Sequence, residues 1–148
     1  MKNNENHIFI DTNCIIGYIA DKYNLKRKKD AANSNALAYL LKQNGKKLYI
    51  SSLSIAQATA TLQNRIDNTK LISEIRSIVS RYEVVEFNKQ DIAHAIGMSQ
   101  ARDIEDLYQY RMSQKVKCLY VMTNNIKDYS AFQNIIAFTP KQTRKIIF

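Results

Sequence analysis

Five short apolar runs punctuate the chain, each separated from the next by a helical pattern, and this alternation constrains the fold more than any other feature. The runs are residues 7–10, 48–51, 82–87, 118–122 and 134–138. Helical patterns lie near 14–22, 30–44, 53–66, 69–81, 89–101, 104–116 and 140–147. Short apolar runs suit strands buried on both faces, and strands joined through helices make βαβ units with parallel strands. The expectation is an α/β chain: a three-layer α/β/α sandwich around a five-stranded parallel, Rossmann-like sheet. With 148 residues, 45% of them hydrophobic, and only three Gly and one Pro, residues 1–148 read as a single domain. A chain of this size buries roughly 70% of its unfolded surface. No repeat or Pro/Gly/Ser-rich linker interrupts it.

In open parallel sheets ligands bind beyond the carboxyl ends of the strands. The stretch "HIFIDTNCII" puts Asp11 there, directly after the strand His7-Ile8-Phe9-Ile10. A turn or helix cap is one explanation of that acid, and a metal site is another. Two further stretches bring polar groups to the same edge. "RDIEDLYQYR" places Asp103 and Asp106 three residues apart, hence on one face of a helix whose apolar stripe is Ile104, Leu107, Tyr108 and Met112. Read simply, Asp103 is an N-cap and Asp106 a first-turn acid favoured by the helix dipole. "VMTNNIKDYS" follows the fourth strand with Thr123, Asn124, Asn125 and Asp128, where Asp128 reads as the cap of a short helix. In "NKQDIAHAI", Asn88 and Asp91 are spaced as a capped helix start.

Charges of one sign gathered at one edge are costly unless something positive lies among them. A hard divalent cation answers that need, since Mg²⁺ takes oxygen ligands and keeps several waters. It could also activate water for attack on a phosphodiester. Only His7 and His94 are present and the cysteines are not paired in sequence, so zinc is not expected. Cys14 and Cys118 read as reduced core thiols, with no base beside Cys14 to make it a nucleophile.

The balance of 22 basic to 13 acidic residues gives a net charge of +9, which favours a polyanion such as nucleic acid. The basic residues are scattered, and Arg102 and Arg111 are the best placed by sequence to hold a nucleic-acid backbone near the acids. The polar start lacks the apolar core of a signal peptide, and no run approaches the roughly 20 residues needed to span a bilayer. A cytoplasmic protein without membrane contact is expected.

The motifs "FIDTN", "SSLSIAQ", "DIEDLYQY" and "VMTNNIKDYSAF", in this order and spacing, resemble those of the PIN domain, and among PIN domains the VapC-like bacterial toxins. The resemblance runs from about residue 7 to residue 139. It implies a five-stranded parallel sheet and an endoribonuclease dependent on Mg²⁺ or Mn²⁺, with a cognate antitoxin protein and a homodimeric state. By position, Asp11 matches the first family acid and Asp106 the acid that opens the helix motif, with Asp103 a frequent companion. The last acid matches either Asn125, where many members have Asp, or Asp128. Asn13, Thr123 and Asn125 fall in supporting polar positions.

The chain departs from the family once, with Gln57 where the second acid is a Glu. Gln offers a carbonyl oxygen without charge, so weaker metal binding is expected. A local explanation also exists, since Ser54-Ile55-Ala56-Gln57 fits a capping box closed by Gln57. Two alternatives stay open: a PIN-fold module that binds RNA or a partner without cleaving, and an α/β phosphatase with Asp11 as nucleophile. The phosphatase reading is weakened by Asn13, where a second Asp is usual.

Overall fold

The computed structural model describes residues 2–25, 31–98 and 103–146. Its centre is a five-stranded sheet in the order β3-β2-β1-β4-β5, built from β1 (Asn4–Ile10), β2 (Lys47–Ser51), β3 (Glu83–Val85), β4 (Cys118–Met122) and β5 (Ile136–Phe138). Every neighbouring pair is parallel. The helices are α1 (Thr12–Lys22), α2 (Ala32–Leu41), α3 (Ser52–Leu62), α4 (Asn68–Arg81), α5 (Lys89–Ile96) and α6 (Ile104–Lys115), with 3₁₀ segments at Ile126–Tyr129 and Pro140–Lys145.

Side chains of a strand alternate between faces, and β1 shows why the sheet must be covered twice. Ile8 and Ile10 enter one core with Ile15 and Ile19 of α1, Leu37 and Leu40 of α2, and Leu62 and Leu71 of α3 and α4. Phe9, between them, enters a second core with Ala95 of α5 and Leu107 and Met112 of α6. All three strand residues are fully buried. Burying side chains of this size contributes roughly 1.5–3 kcal/mol each.

The strands follow the expected order, with edges trimmed for local reasons. β5 starts at Ile136 instead of 134 because Asn134 takes a left-handed φ of 69°, which a ladder does not accommodate. β3 stops at Val85 because the Phe87 N–H turns to the Ser52 hydroxyl at 3.0 Å and Asn88 then caps α5. α5 ends at Ile96 with Gly97 as its C-cap, and the expected continuation toward 101 runs into residues outside those described. The last expected helix is a 3₁₀ segment with Pro140 at its start.

The chain steps outward from β1 to β2 and β3, then returns to place β4 on the other side of β1. The carboxyl ends of β1 and β4 therefore lie side by side at the reversal of strand order, the place where open α/β sheets bind ligands. There the Asp11 N–H donates to the Met122 carbonyl at 2.9 Å, and the Thr123 N–H to Phe138 at 2.9 Å. Asp11 and Thr123 are thus fixed by backbone pairing before any side chain acts.

Candidate active-site cleft

Asp11 is the N-cap residue of α1 and is only 7% exposed. Its Oδ1 accepts from the Thr12 N–H at 2.8 Å, and its Oδ2 from the Thr123 hydroxyl at 2.8 Å and the Asn13 amide at 3.4 Å. Burial pushes its carboxyl above the ordinary value, opposed by the hydrogen bonds from Thr123 and Thr12 and by the nearby Tyr129 hydroxyl, and assisted by the charge of Asp128. The capping role is real, yet it leaves a desolvated carboxylate at the sheet edge.

Thr123 and Asn13 are held in turn. Thr123 Oγ1 accepts from the Asn125 N–H at 3.1 Å and the Asn13 amide at 3.3 Å, which directs its own proton to Asp11. Asn13 Oδ1 accepts the Asn124 N–H at 3.0 Å. Asn125 donates its amide to Asp128 Oδ1 at 2.9 Å. Beneath this set Tyr129 is almost fully buried, its hydroxyl pushed far up by burial and by the charges of Asp11 and Asp106.

These groups open on a cleft of about 780 Å³. Its acids are Asp11, Asp103, Glu105, Asp106 and Asp128, and its amides Asn13, Gln57, Gln109 and Asn125. No His or Cys lines it. Gln109, 4% exposed, gives its amide to Thr12 Oγ1 at 2.6 Å and Ser54 Oγ at 3.1 Å, while its buried Oε1 has no hydrogen-bond partner among the described residues. Hard oxygen donors, a buried carboxylate and an orphaned acceptor fit a hydrated Mg²⁺ or Mn²⁺ ion. Among the described residues, no three His, Cys, Asp or Glu side chains form a ready ligand cluster. The acids line the cleft without closing into a cage.

No family model matches the chain. A ribonuclease, VapC1 of Aquifex aeolicus (strain VF5), is 25% identical over 131 residues, covering 86% of this chain and 87% of that protein. The structure of VapBC2 from Rickettsia felis, bound to a DNA fragment from its promoter, superposes with a TM-score of 0.65 at 19% identity, over 90% of this chain and 98% of that one. A toxin–antitoxin complex from Klebsiella pneumoniae gives a TM-score of 0.61 at 18% identity, over 90% and 97% of the two chains. The chain shares the fold of these VapBC proteins and is similar in sequence to a VapC ribonuclease.

Within this fold the sequence-predicted residues divide. Asp11, Asp103, Asp106, Asp128, Asn13, Asn125 and Gln57 all line the one cleft, with Thr123 bonded to Asp11 behind it. Their local roles differ from the simple expectations. Asp103 is at the N-cap position of α6 but makes no side-chain capping bond. Asp128 lies within the 3₁₀ segment and not at its start, where Asn125 stands. Gln57 closes no capping box: the N-cap of α3 is Ser51, whose hydroxyl accepts from the Leu53 N–H, so Ser54 is already inside the helix.

Arg111 is absent from the cleft lining, because its guanidinium turns to Asp91 on α5 at 3.1 Å. Arg102 lies outside the described residues. Both cysteines are buried and form no disulfide, and the Asn124 amide lies 3.7 Å from Cys14 Sγ. Sequence reading missed Glu105, Gln109 and Thr12. Glu105 was visible as a third acid in the same helical turn, whereas Gln109 and Thr12 matter only through contacts between helices distant in sequence.

Proposed function

We propose that this chain is a PIN-type, divalent-metal-dependent endoribonuclease, the toxin of a toxin–antitoxin pair, acting as a homodimer in the cytoplasm. The observation that carries the reading is the convergence of Asp11, Asp103, Asp106 and Asp128 on one cleft at the carboxyl ends of β1 and β4. The ribonuclease name of the Aquifex relative and the toxin–antitoxin complex among the structural neighbours support the class. The net charge of +9 suits an RNA substrate, and none of the described helices is long and apolar enough to cross a membrane.

Asp11, Asp106, Asp128 and Asp103 are the residues that would hold Mg²⁺ or Mn²⁺. When bound, the cation would supply an activated water and positive charge facing the phosphodiester. Thr123 and Asn13 keep Asp11 oriented, and Asn125 does the same for Asp128. Holding the acids in place before substrate arrives removes the need to order them during the reaction.

Gln57 favours a second reading, a PIN fold that binds RNA or a partner without cutting, because it removes one charge from the acid set. Cleavage of RNA in Mg²⁺ and in Mn²⁺, with Asp11→Asn as control, separates the two. Metal-dependent cleavage abolished by Asp11→Asn is expected. Binding without cleavage in either metal would leave the second reading standing.

A further inference from the structure

Gln57 is fully engaged, and its partners fix which way its amide points. Its Oε1 accepts from the Thr12 hydroxyl at 2.9 Å, and its Nε2 donates to Glu105 Oε1 at 3.2 Å. The opposite orientation would set an amide oxygen against a carboxylate oxygen. Proton counting around Thr12 agrees. Thr12 Oγ1 lies 2.7 Å from the Ser54 hydroxyl and accepts from Gln109, so with Ser54 donating to it, its own proton is free for Gln57. An N–H aimed across the cleft repels a cation, and the carbonyl oxygen is turned to Thr12 and carries no charge. Position 57 therefore brings no anionic ligand to the cleft.

Glu105 is the group that this amide holds. As a plain first-turn acid of α6 it would need only its own helix terminus. Instead it is bonded from α3, across the cleft that both residues line. A carboxylate has two oxygens with acceptor capacity well beyond one hydrogen bond, so the tether leaves it able to accept from elsewhere. The carboxylate lies one hydrogen bond away from where a Glu at position 57 would carry its own.

We propose that Glu105 supplies the carboxylate that position 57 lacks, with Gln57 as the positioning residue that holds it in the cleft. The proposal rests on the metal-dependent reading above. In effect the negative charge has moved from α3 to α6, and the number of anionic groups around the ion is preserved. The ligand-bearing set of this chain then includes Asp11, Asp106, Asp128 and Glu105.

Calorimetric titration of Mn²⁺ into the full chain, supported by the Mn²⁺ electron paramagnetic resonance signal, tests this without any need for turnover. Glu105→Gln is expected to weaken Mn²⁺ binding about 10- to 100-fold, the usual cost of disturbing ligands or their supports. Glu83→Gln, the same charge change on β3 outside the cleft, should leave binding within about twofold. Gln57→Glu/Glu105→Gln, which swaps the two groups, should recover most of the affinity, a rescue that a merely structural Glu105 would not give. An unchanged Glu105→Gln, an equal loss in Glu83→Gln, or a swap as weak as Glu105→Gln overturns the proposal. Asp11→Asn separates the levels of failure. If it abolishes Mn²⁺ binding while Glu105→Gln does not, only the role of Glu105 falls; if it changes nothing, the metal reading falls with it.

Discussion

Arg111 donates through Nε to Asp91 Oδ1 at 3.1 Å, and Lys115, one helical turn on, donates to Asp91 Oδ2 at 2.9 Å. Two cations of α6 thus converge on one acid of α5 that is 1% exposed and that also accepts the Asn88 N–H in its capping box. Burial alone would push Asp91 up, but the Asn88 N–H, Lys115 and Arg111 outweigh it and hold the carboxyl below its ordinary value of 3.8. The pair of helices is fastened here, which sets how α6 presents its acids to the cleft.

Asp91→Ala should therefore destabilise the fold by about 3 kcal/mol, since it breaks the box and strands two cations. Arg111→Ala should cost less, about 1–2 kcal/mol, because the guanidinium is partly exposed and Lys115 remains. The pH sign follows from the depressed value: the Asp91 contribution is present above pH 3.8 and is lost as pH falls through the folded-state value. Urea unfolding at neutral and acid pH checks both. A deficit in Asp91→Ala that persists unchanged well below pH 3.8 would contradict the assignment.

How far this arrangement could be foreseen varies with the range of the interaction. β1, β4 and the place of Asp11 were legible, because an apolar run followed at once by an acid is a local pattern. So was the Asn88–Asp91 box. The second role of Asp91 was not, because no spacing within "NKQDIAHAI" reveals which face of α5 meets α6. Arg111 looked like an RNA contact for the same reason: its cationic chemistry is plain in the sequence, while its partner is set by packing. Gln57 could be recognised as a departure, but its tether to Glu105 depends on how α3 and α6 approach each other. The residue that decided the start of β5, Asn134, gives no signal until its left-handed φ is known.

RNA binding, if it follows the positive charge, should weaken with salt, and single substitutions should report which cations touch phosphate. Lys127, exposed and next to Asp128, and Arg102, next to Asp103, are the candidates adjacent in sequence to cleft acids. Replacing either with Ala should flatten the log–log salt slope by about 0.7–1 unit. Arg111→Ala, tied to Asp91, should leave the slope unchanged. Equal slopes in all three variants, measured by fluorescence anisotropy on a labelled single strand, would point to a protein partner as the reason for the charge.

A second packing constraint reaches the site through Gly17. A Cβ placed on Gly17 would stand 2.6 Å from Asn33 Nδ2 and 2.7 Å from its Cγ. Asn33 is 3% exposed, and its Oδ1 accepts from the Asn124 amide at 3.0 Å. Asn124 in turn bonds Asn13, which supports Thr123 and Asp11. Gly17→Ala should cost roughly 1–3 kcal/mol of overpacking and lower cleavage by displacing this chain. In Gly17→Ala/Asn33→Ala the clash is gone, so the loss of stability should be smaller than the sum of the single variants. Additive losses would mean that the added methyl is accommodated elsewhere.

The raised carboxyl of Asp11 makes the strongest prediction for the site, because apo stability and metal binding should respond to pH in opposite directions. Its folded value lies above the ordinary 3.8, first because it is buried, with Asp128 adding to the rise. In the window between the two values the folded chain binds more protons than the unfolded chain, so without metal this group makes stability fall as pH rises. Metal binding needs the deprotonated form and so strengthens over the same window. The rise in melting temperature caused by saturating Mn²⁺ should grow as pH rises above 3.8 and through the folded-state value. At a free concentration 100 times the dissociation constant it should reach about 2.7 kcal/mol of added stability. Thr123→Val removes the largest opposing hydrogen bond, so the onset of metal stabilisation should move to higher pH, with affinity at neutral pH roughly 10-fold lower. A Mn²⁺-induced shift that is flat across this range and indifferent to Thr123→Val would mean that Asp11 caps its helix and holds no ion.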